Sequence, residues 1–469
     1  MNTARTLAFL LSAAALPLAA CTAGSGSMQS ASATSAEAPK KAKNVILFIG
    51  DGMGISTITA ARIYDGQKRG MTGEEHQLSF EKFPNVALVK TYNVNAQVPD
   101  SAGTATAMHS GQKTNIGLLG VGPATRRGDC ASGIANPLPL LGEEVKAKGL
   151  ALGIVTTTRL THATPASVYA RIAERNWEAD SAIPEGQRGG GCKDIATQLV
   201  EADWDLALGG GTAGFFGSAK GGRRADANAD LPASWRARTG GTYVTNSAEL
   251  AAAPMGKPVF GLFNPSHLGY MAERKPNSQE PTLTDMTAQA IARLKSDPDG
   301  YYLMVEGGRI DHAHHGGQAG FALEEASEFA RAVQYAVDNT DPDETLIMVT
   351  ADHSHVFTIA GYPRRGNDIL GIVVPPEGGG EEVGDVTTAL DGKSYTTLGY
   401  ANGPGAVKGE RPEPQTGINA VQQSLVPLGS ETHGGEDVAL FATGPGSEKA
   451  RGVIEQNLIY DIIRKALGW

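Results

Sequence analysis

The chain has 469 residues, 41% of them apolar and 19% charged, with a formal net charge of −10. That length supports a large core and exceeds the usual size of one domain. The acidic balance excludes the electrostatic footprint of a nucleic-acid binder, but it leaves an anionic substrate open, because bound divalent cations do not enter the sum.

Residues 1–21 read as a targeting segment. Arg5 supplies the positive start, Leu7 to Leu18 the apolar stretch and Leu18-Ala19-Ala20-Cys21 the cleavage region. A Cys directly after Leu-Ala-Ala resembles a bacterial lipobox, which makes Cys21 the lipidated first residue of the mature chain. Plain secretion with cleavage nearby is the alternative, and either way the protein leaves the cytoplasm. Residues 22–43 are Ser/Ala-rich and read as a flexible tether. With Cys21 set aside, Cys130 and Cys192 remain, and an oxidising compartment permits a disulfide between them. Two buried thiols are the alternative, and the disulfide is the expectation carried forward.

Asn44 to Ile49 is an apolar run ending in Gly50-Asp51-Gly52-Met53-Gly54. The glycines let the chain turn and leave Asp51 at the C-terminal end of a strand. They fit neither common nucleotide-loop pattern, and a carboxylate there repels phosphate unless a cation intervenes. Asp51 is therefore a candidate metal ligand. Pro99-Asp100-Ser101 opens a small-residue helix, so Ser101 stands at a helix N-terminus, where free N–H groups favour an anion. A plain Ser N-cap is the other reading. Leu150 to Val155 is a further strand, followed by His162-Ala163-Thr164-Pro165. Pro165 after Thr164 predicts a helix with Thr164 as its cap, running through Tyr169 towards Arg175 and Trp177.

Residues 214–245 read mostly as polar loop, and Thr282 to Leu294 has helical periodicity. Tyr301 to Val305 predicts a buried strand, closed by Glu306-Gly-Gly-Arg-Ile-Asp311-His312-Ala-His314-His315. On a helical turn Asp311 and His315 share one face and can hold one ion, while Glu306 can serve another. Ala319 to Asn339 is a long amphipathic helix. Thr345 to Val349 is a strand ending in Asp352-His353-Ser354-His355. Residues 364–429, rich in Gly, Pro and Glu, read as an excursion from the main core. Glu431-Thr-His433-Gly-Gly-Glu436 leads to a strand at Val438 to Phe441, and a helix is expected over Val453 to Leu467.

Strands that end in polar glycine turns alternate with helices, which predicts an α/β fold: a three-layer sandwich whose central, mostly parallel sheet is flanked by helices. Ligands of such folds bind beyond the C-terminal strand ends. Asp51, His162, Thr164, Glu306 to His315 and Asp352-His353 all fall at that edge. Mixed Asp/His ligation suits zinc and an all-oxygen set suits magnesium. Two such cations can clamp the attacking and leaving oxygens of a displacement at phosphorus, which points to metal-dependent hydrolysis of an anionic ester.

From Asn44 to Trp469 the chain resembles the alkaline phosphatases. The motifs that carry the likeness are Gly50-Asp51-Gly52-Met53-Gly54, Asp100-Ser101-Ala-Gly-Thr-Ala105, His162-Ala-Thr164-Pro165, Glu306 to His315, Thr350-Ala-Asp352-His353 and Glu431 to Glu436, in family order. The resemblance implies a catalytic domain over 44–469 with a small crown-like insertion at about 364–429. It implies two zinc ions and one magnesium ion per subunit. Asp311, His315 and His433 would hold the first zinc; Asp51, Asp352 and His353 the second; Asp51, Thr164 and Glu306 the magnesium. Ser101 becomes the nucleophile of phosphate monoester hydrolysis through a phosphoserine, and Arg175 the phosphate-binding residue. A straight helix from Thr164 would carry Arg175 about 16 Å along its axis, so that assignment requires the helix to bend or end early; helix geometry alone does not choose Arg175 over Arg171.

His162 and His312 stand where enteric bacterial members carry Asp and Lys. The His pair is similar to the animal subtype and is expected to surround the magnesium, loosen it and favour an alkaline working pH. Neutral Asn264, with Glu280, falls where the animal enzymes' calcium site is expected, so no calcium is predicted. A homodimer is implied by the resemblance alone. The lipobox implies a lipid-anchored protein of the periplasm or cell surface, most simply the outer membrane. A phosphodiesterase or sulfatase-like member of the superfamily is one rival; Ser101 lacks the Cys/Ser-x-Pro-x-Arg context of a sulfatase, and diesterases often use Thr. A non-catalytic zinc- or phosphate-binding lipoprotein is the other.

Overall fold

The apolar run at the head of the mature chain becomes the middle of a ten-stranded sheet. The structure, a computed structural model, describes residues 40–188, 190–376 and 384–469. The targeting segment at 1–21 and most of the tether at 22–43 lie outside these residues. In chain order the strands are β1 (Asn44–Gly50), β2 (Asn85–Lys90), β3 (Ala151–Arg159), β4 (Leu206–Gly210), β5 (Thr242–Val244), β6 (Val259–Leu262), β7 (Tyr301–Gly307) and β8 (Thr345–Ala351). They continue with β9 (Ser354–His355), β10 (Phe357–Ile359), β11 (Leu398–Gly403), β12 (Ser424–Pro427), β13 (His433–Gly434), β14 (Val438–Thr443) and β15 (Gly452–Glu455).

The large sheet runs β15-β2-β14-β8-β1-β7-β3-β4-β6-β5, and every neighbouring pair is parallel except those made by β14. Its central strands are covered on both faces: Val45 to Ile49, Tyr302 to Val305 and Met348 to Val349 are all fully buried. That is why their sequences are unbroken apolar runs rather than alternating ones. The helix Ala319–Asn339 turns its apolar stripe to the sheet, where Phe329 meets Phe48 edge-on. A Thr282/Asp285 capping box starts the helix Leu283–Leu294 beside it.

Several local expectations change. The stretch 214–245 is not mostly loop: Leu231–Thr239 is helical, capped by Asp230, and its fully buried Trp235 stacks on Trp204. The C-terminal helix covers only Leu458–Leu467, because Gly452–Glu455 pairs with β2 as an edge strand. The strands of the 364–429 excursion, β11 and β12, join β10 in a separate three-stranded sheet and not the main core. Cys130 and Cys192 are joined, with Cα atoms 5.6 Å apart.

Candidate metal centre

Strand order dictates which carboxylates meet. The neighbours β8, β1 and β7 end together, with Ile49 in register with both Glu306 and Thr350; Thr156 of β3 is level with Glu306, and β3 runs on to Arg159. Two residues further along, β8 delivers Asp352 and β1 delivers Asp51. Glu306 sits on β7, and the turn after β3 brings His162 and Thr164. Asp51 is on the middle strand and so faces both flanks. All four of Asp51, Glu306, Thr164 and Asp352 are fully buried.

Three ligand groups emerge. His315 Nε2 lies 3.3 Å from Asp311 Oδ1 and 3.1 Å from His433 Nε2, and His433 Nε2 lies 3.4 Å from the same Asp311 oxygen. His353 Nε2 lies 3.4 Å from Asp51 Oδ1 and 3.3 Å from Asp352 Oδ2. Ligand atoms about 2.0–2.1 Å from a tetrahedral zinc are separated from one another by roughly 3.3 Å, so both triads have the right size. For the third set, ligand atoms of Asp51, Glu306 and His162 fall within 4.8 Å of one another, and the fully buried Thr164, expected from the sequence as its further oxygen donor, stands beside Glu306.

The protons are also arranged for ligation. Nδ1 of His315 donates to the Glu431 carbonyl at 2.6 Å, that of His353 to the Ser354 carbonyl at 3.2 Å, and that of His433 to the Pro99 carbonyl at 2.8 Å. A carbonyl only accepts, so each ring carries its proton on Nδ1 and turns the Nε2 lone pair into the centre, as metal-binding histidines do. Among the described residues, both oxygens of Asp51, Glu306 Oε1, Asp311 Oδ1, Thr164 Oγ1, His162 Nδ1 and His355 Nε2 are buried without a well-directed hydrogen-bond partner. Orphaned buried oxygens of this kind are costly unless a cation accepts them.

Electrostatics agree. Burial, then Asp352, Asp311 and Glu306, push the Asp51 carboxyl well above its usual range. Burial raises Glu306 to about 7, and burial raises Asp352 as well. Four carboxylates packed this closely repel one another, and divalent cations invert that penalty. His353 and His162 are driven well below the usual range by burial, aided respectively by His433 and Arg175, which keeps both rings neutral.

Ser101 stands beside the second triad, its Oγ 3.1 Å from His353 Nε2. It is the first residue of the helix Ser101–Ser110 and not the cap: Asp100 is the cap, accepting from Gly103 N–H at 3.1 Å. The Ser101 hydroxyl is thus free of capping duty. The expected helix from Thr164 to Trp177 does not form. Only Ala163–Ala166 is helical, with His162 at the cap position, and the chain then folds back so that Arg175 N–H bonds the Gly117 carbonyl. This early end brings Arg175 to Asp100, the residue before the serine. Its Nη1 donates to Asp100 Oδ2 at 3.0 Å and its Nη2 to His162 Nε2 at 3.2 Å. Arg171 is engaged elsewhere, donating to both Glu143 oxygens at 2.6 Å.

His312 lies beside His162, with ring centroids 5.5 Å apart, and is held by Arg309. His267, unnoticed in the sequence, packs 4.1 Å from His312 and contacts Arg159, which is itself paired with Glu178. His314, given no role from the sequence, is fully buried, with Nε2 3.0 Å from Thr57 Oγ1 and Nδ1 2.8 Å from Tyr400 Oη. His355 and Glu431, within two motifs but given no role from sequence, sit against Asp311: His355 Nε2 is 3.0 Å from Asp311 Oδ1 and its Nδ1 is 2.6 Å from Glu431 Oε2. Burial disfavours the charged His355 ring, but Asp311 and Glu431 outweigh it and raise the group to about 9. Asn264 Nδ2 donates to Glu280 Oε1 at 2.5 Å, so these two side chains satisfy each other.

The family model for alkaline phosphatase matches residues 42–469. The tissue-nonspecific alkaline phosphatase isozyme of Gallus gallus is 45% identical over 443 residues, covering 89% of this chain and 83% of its own. The alkaline phosphatase of Gadus morhua is 44% identical, covering 89% of this chain and 90% of its own. Among solved structures, the alkaline phosphatase of the Antarctic bacterium TAB5 superposes with a TM-score of 0.64 at 24% identity, covering 92% of this chain and 99% of that one. The Thermus thermophilus enzyme gives 0.67 at 23% identity over 92% of each chain. With a family model spanning nearly all of the described chain and relatives this similar, the protein belongs to the alkaline phosphatase family.

Proposed function

We propose that this chain hydrolyses phosphate monoesters with Ser101 as nucleophile. The observation that carries the reading is the placement of Ser101 Oγ, free of capping duty at a helix N-terminus and 3.1 Å from His353 Nε2, with Arg175 held by the preceding Asp100. Ser101 Oγ attacks phosphorus in line with the ester oxygen; the P–O bond to the alcohol breaks, and the phosphoryl group is carried as a phosphoserine. Water then cleaves the serine ester and releases inorganic phosphate. Arg175, held flat between Asp100 and His162, presents a two-pronged donor to the phosphoryl oxygens that do not react. The N–H groups of the serine helix add partial positive charge on the same side.

Asp311, His315 and His433 would hold one zinc, Asp51, Asp352 and His353 a second, and Asp51, Glu306 and Thr164 a magnesium. Together the ions would supply Lewis-acid stabilisation of the attacking and leaving oxygens. The tetrahedral spacing of the two triads supports zinc, and the oxygen donors of the third group support magnesium. His162 and His312 tune that third position: His162 adds a nitrogen close to it, which weakens its preference for magnesium. Substituting Asp at 162 and Lys at 312 is the counterpart that tightens magnesium.

The remaining readings are extensions of the sequence. Residues 1–21 export the chain, Cys21 is its lipid anchor, residues 22–43 are the tether, and the protein works outside the cytoplasm as a homodimer, with the crown-like insertion at 364–429 governing access. Among the described residues no helix is long and apolar enough to cross a membrane. The test of the central reading is Ser101→Ala together with paired kinetics on p-nitrophenyl phosphate and its bis ester. The expected result is turnover lost in the variant and a strong monoester preference in the parent. Retained activity removes Ser101 from the mechanism, and a preference for the bis ester moves the protein to the diesterases.

A further inference from the structure

His109, near the C-terminal end of the serine helix, is fully buried and joins that helix to two other elements. Its Nδ1 lies 2.9 Å from Ser167 Oγ and 3.1 Å from the Ala105 carbonyl, and its Nε2 lies 2.9 Å from Tyr302 Oη. Hydrogen-bond chemistry places the protons. Ser167 Oγ–H donates to the Thr164 carbonyl at 2.7 Å, so towards the ring it only accepts. The Ala105 carbonyl also only accepts, and Nδ1 therefore carries the proton. Burial lowers the ring to about 4, so it is neutral and Nε2 accepts the Tyr302 O–H. Both ring nitrogens are satisfied without any charge.

Both partners lead back to the site. Tyr302 lies on β7, where residues four apart share a face, so His109 grips the face that carries Glu306. The Ser167 leg ends on the backbone of Thr164. From Ser101 to His109 the helix advances roughly 12 Å, and from Tyr302 to Glu306 the strand advances roughly 13 Å. The helix is pinned at both ends of this span. Asp100 holds the serine end, accepting from Asn93 Nδ2 at 2.9 Å and from the Gly117 N–H at 3.0 Å, and His109 holds the other. Between the pins, Ala102-Gly-Thr-Ala-Thr-Ala107 offers nothing larger than threonine. So smooth a stretch has shallow ridges and resists sliding along its axis poorly through packing alone. A ring with directed hydrogen bonds on both nitrogens supplies the missing stop.

We propose that His109 is a positioning residue for Ser101: it ties the far end of the serine helix to the Thr164 turn and to β7, and so fixes how far Ser101 Oγ reaches into the site. This rests on the reading of Ser101 as the nucleophile. A core histidine that only stabilises the fold makes activity follow stability, whereas a positioning histidine separates the two.

The test uses the full-length protein at saturating zinc and magnesium, with p-nitrophenyl phosphate as substrate and Tm read by thermal unfolding. His109→Leu leaves the Tyr302 hydroxyl unpaired in the core and is expected to lower Tm. It is also expected to lower kcat/KM about 10–100-fold, since a misplacement of about 1 Å costs that much, with the parent's zinc content retained. Adding Tyr302→Phe removes the unpaired hydroxyl, so the double variant is expected to regain Tm while kcat/KM stays low. His109→Asn, which keeps a donor where Nδ1 stands, is expected to recover part of kcat/KM. Unchanged kcat/KM in His109→Leu, or kcat/KM that climbs back with Tm in the double variant, overturns the proposal, as does loss of zinc. If His109→Leu does not fold, the double variant decides alone, and parent-like kcat/KM there overturns it. Ser101→Ala in the same assay separates this from the underlying reading: retained turnover there means that the nucleophile itself is misassigned.

Discussion

Stripping the metals converts the centre from a set of paired charges into four crowded carboxylates, and the cost must depend on pH. Glu306 moves from an ordinary value of 4.5 to about 7 because it is buried. For a carboxyl raised in the folded state, the folded apoprotein binds more protons than the unfolded chain between those values, so stability falls as pH rises from 4.5 to 7 and is flat above. The displacement corresponds to roughly 3 kcal/mol, which for a chain of this size is about 3–5 °C in Tm. Asp51 and Asp352 shift in the same direction. His355, raised to about 9, stabilises below its ordinary 6.5, and that contribution fades as pH climbs through 9, again in the same direction. Bound cations replace those protons, so the loaded protein escapes the Glu306 penalty and metal uptake releases protons. Thermal unfolding of chelator-stripped and zinc/magnesium-reloaded protein at pH 5, 6, 7 and 8 measures the gap. It is expected to widen from pH 5 to pH 7. A gap that is constant, or that narrows towards pH 8, refutes the electrostatic account of the site.

Further outcomes follow from single contacts. Gly52→Ala forces φ +69° on a residue with a side chain, about 1–2 kcal/mol of strain, and drives its methyl into His355; zinc content by mass spectrometry should fall and turnover drop by about 100-fold or more. Arg175→Ala should lower kcat/KM by about 100–1,000-fold and weaken inhibition by phosphate, while Arg171→Ala, which removes the Glu143 pair and the bond to the Leu138 carbonyl but no contact with Asp100 or His162, should leave both within twofold. Replacing Cys130 and Cys192 by Ser opens a loop of 62 residues and should lower stability in denaturant titrations by about 2–4 kcal/mol, with steady-state kinetics retained.

The parts of this molecule that could be read in advance are those whose signal is local. β1, β7 and β8 are buried on both faces, so their sequences are mainly apolar runs, and a carboxylate at or just past the end of each run picks out Asp51, Glu306 and Asp352 as candidates without any tertiary information. Asp311 and His315 needed only helical spacing. What stayed hidden depends on distant partners. β2 carries exposed Val86 and Leu88 as well as buried Ala87 and Val89, so it has no clean alternation to detect. Trp235 is buried only because Trp204 and Phe260 reach it. His314 reads as polar surface until Thr57 and Tyr400, 257 and 86 residues away, supply its two hydrogen bonds. Arg175 could be chosen only through resemblance, because the turn that redirects the chain after Ala166 leaves no propensity signal. His355 and Glu431 were in view within their motifs, but a histidine and a glutamate 76 residues apart declare their pairing only in three dimensions.

The order of strands explains how one carboxylate could serve the two ions proposed for it. From β1 the chain leaves to both sides of its own strand: β8 lies on one flank and β7, then β3, on the other. Such a reversal opens a crevice beyond the C-terminal ends, the place where open α/β sheets bind ligands. Asp51, at the end of β1, is the residue that faces both halves of that crevice. On the β8 side it meets Asp352 and His353; on the β7 side it meets Glu306, with Thr164 arriving from the turn after β3. Sharing Asp51 therefore needs no special loop, only a residue with two usable oxygens on the strand at the switch. The helix bearing Ser101 is not part of this edge and has to be brought to it. His353 makes that connection, since the same Nε2 that faces Asp51 and Asp352 also faces Ser101 Oγ. Ser101, the proposed nucleophile, is thus tied to the sheet through His353, and any shift of β8 that moves this histidine must also move the serine.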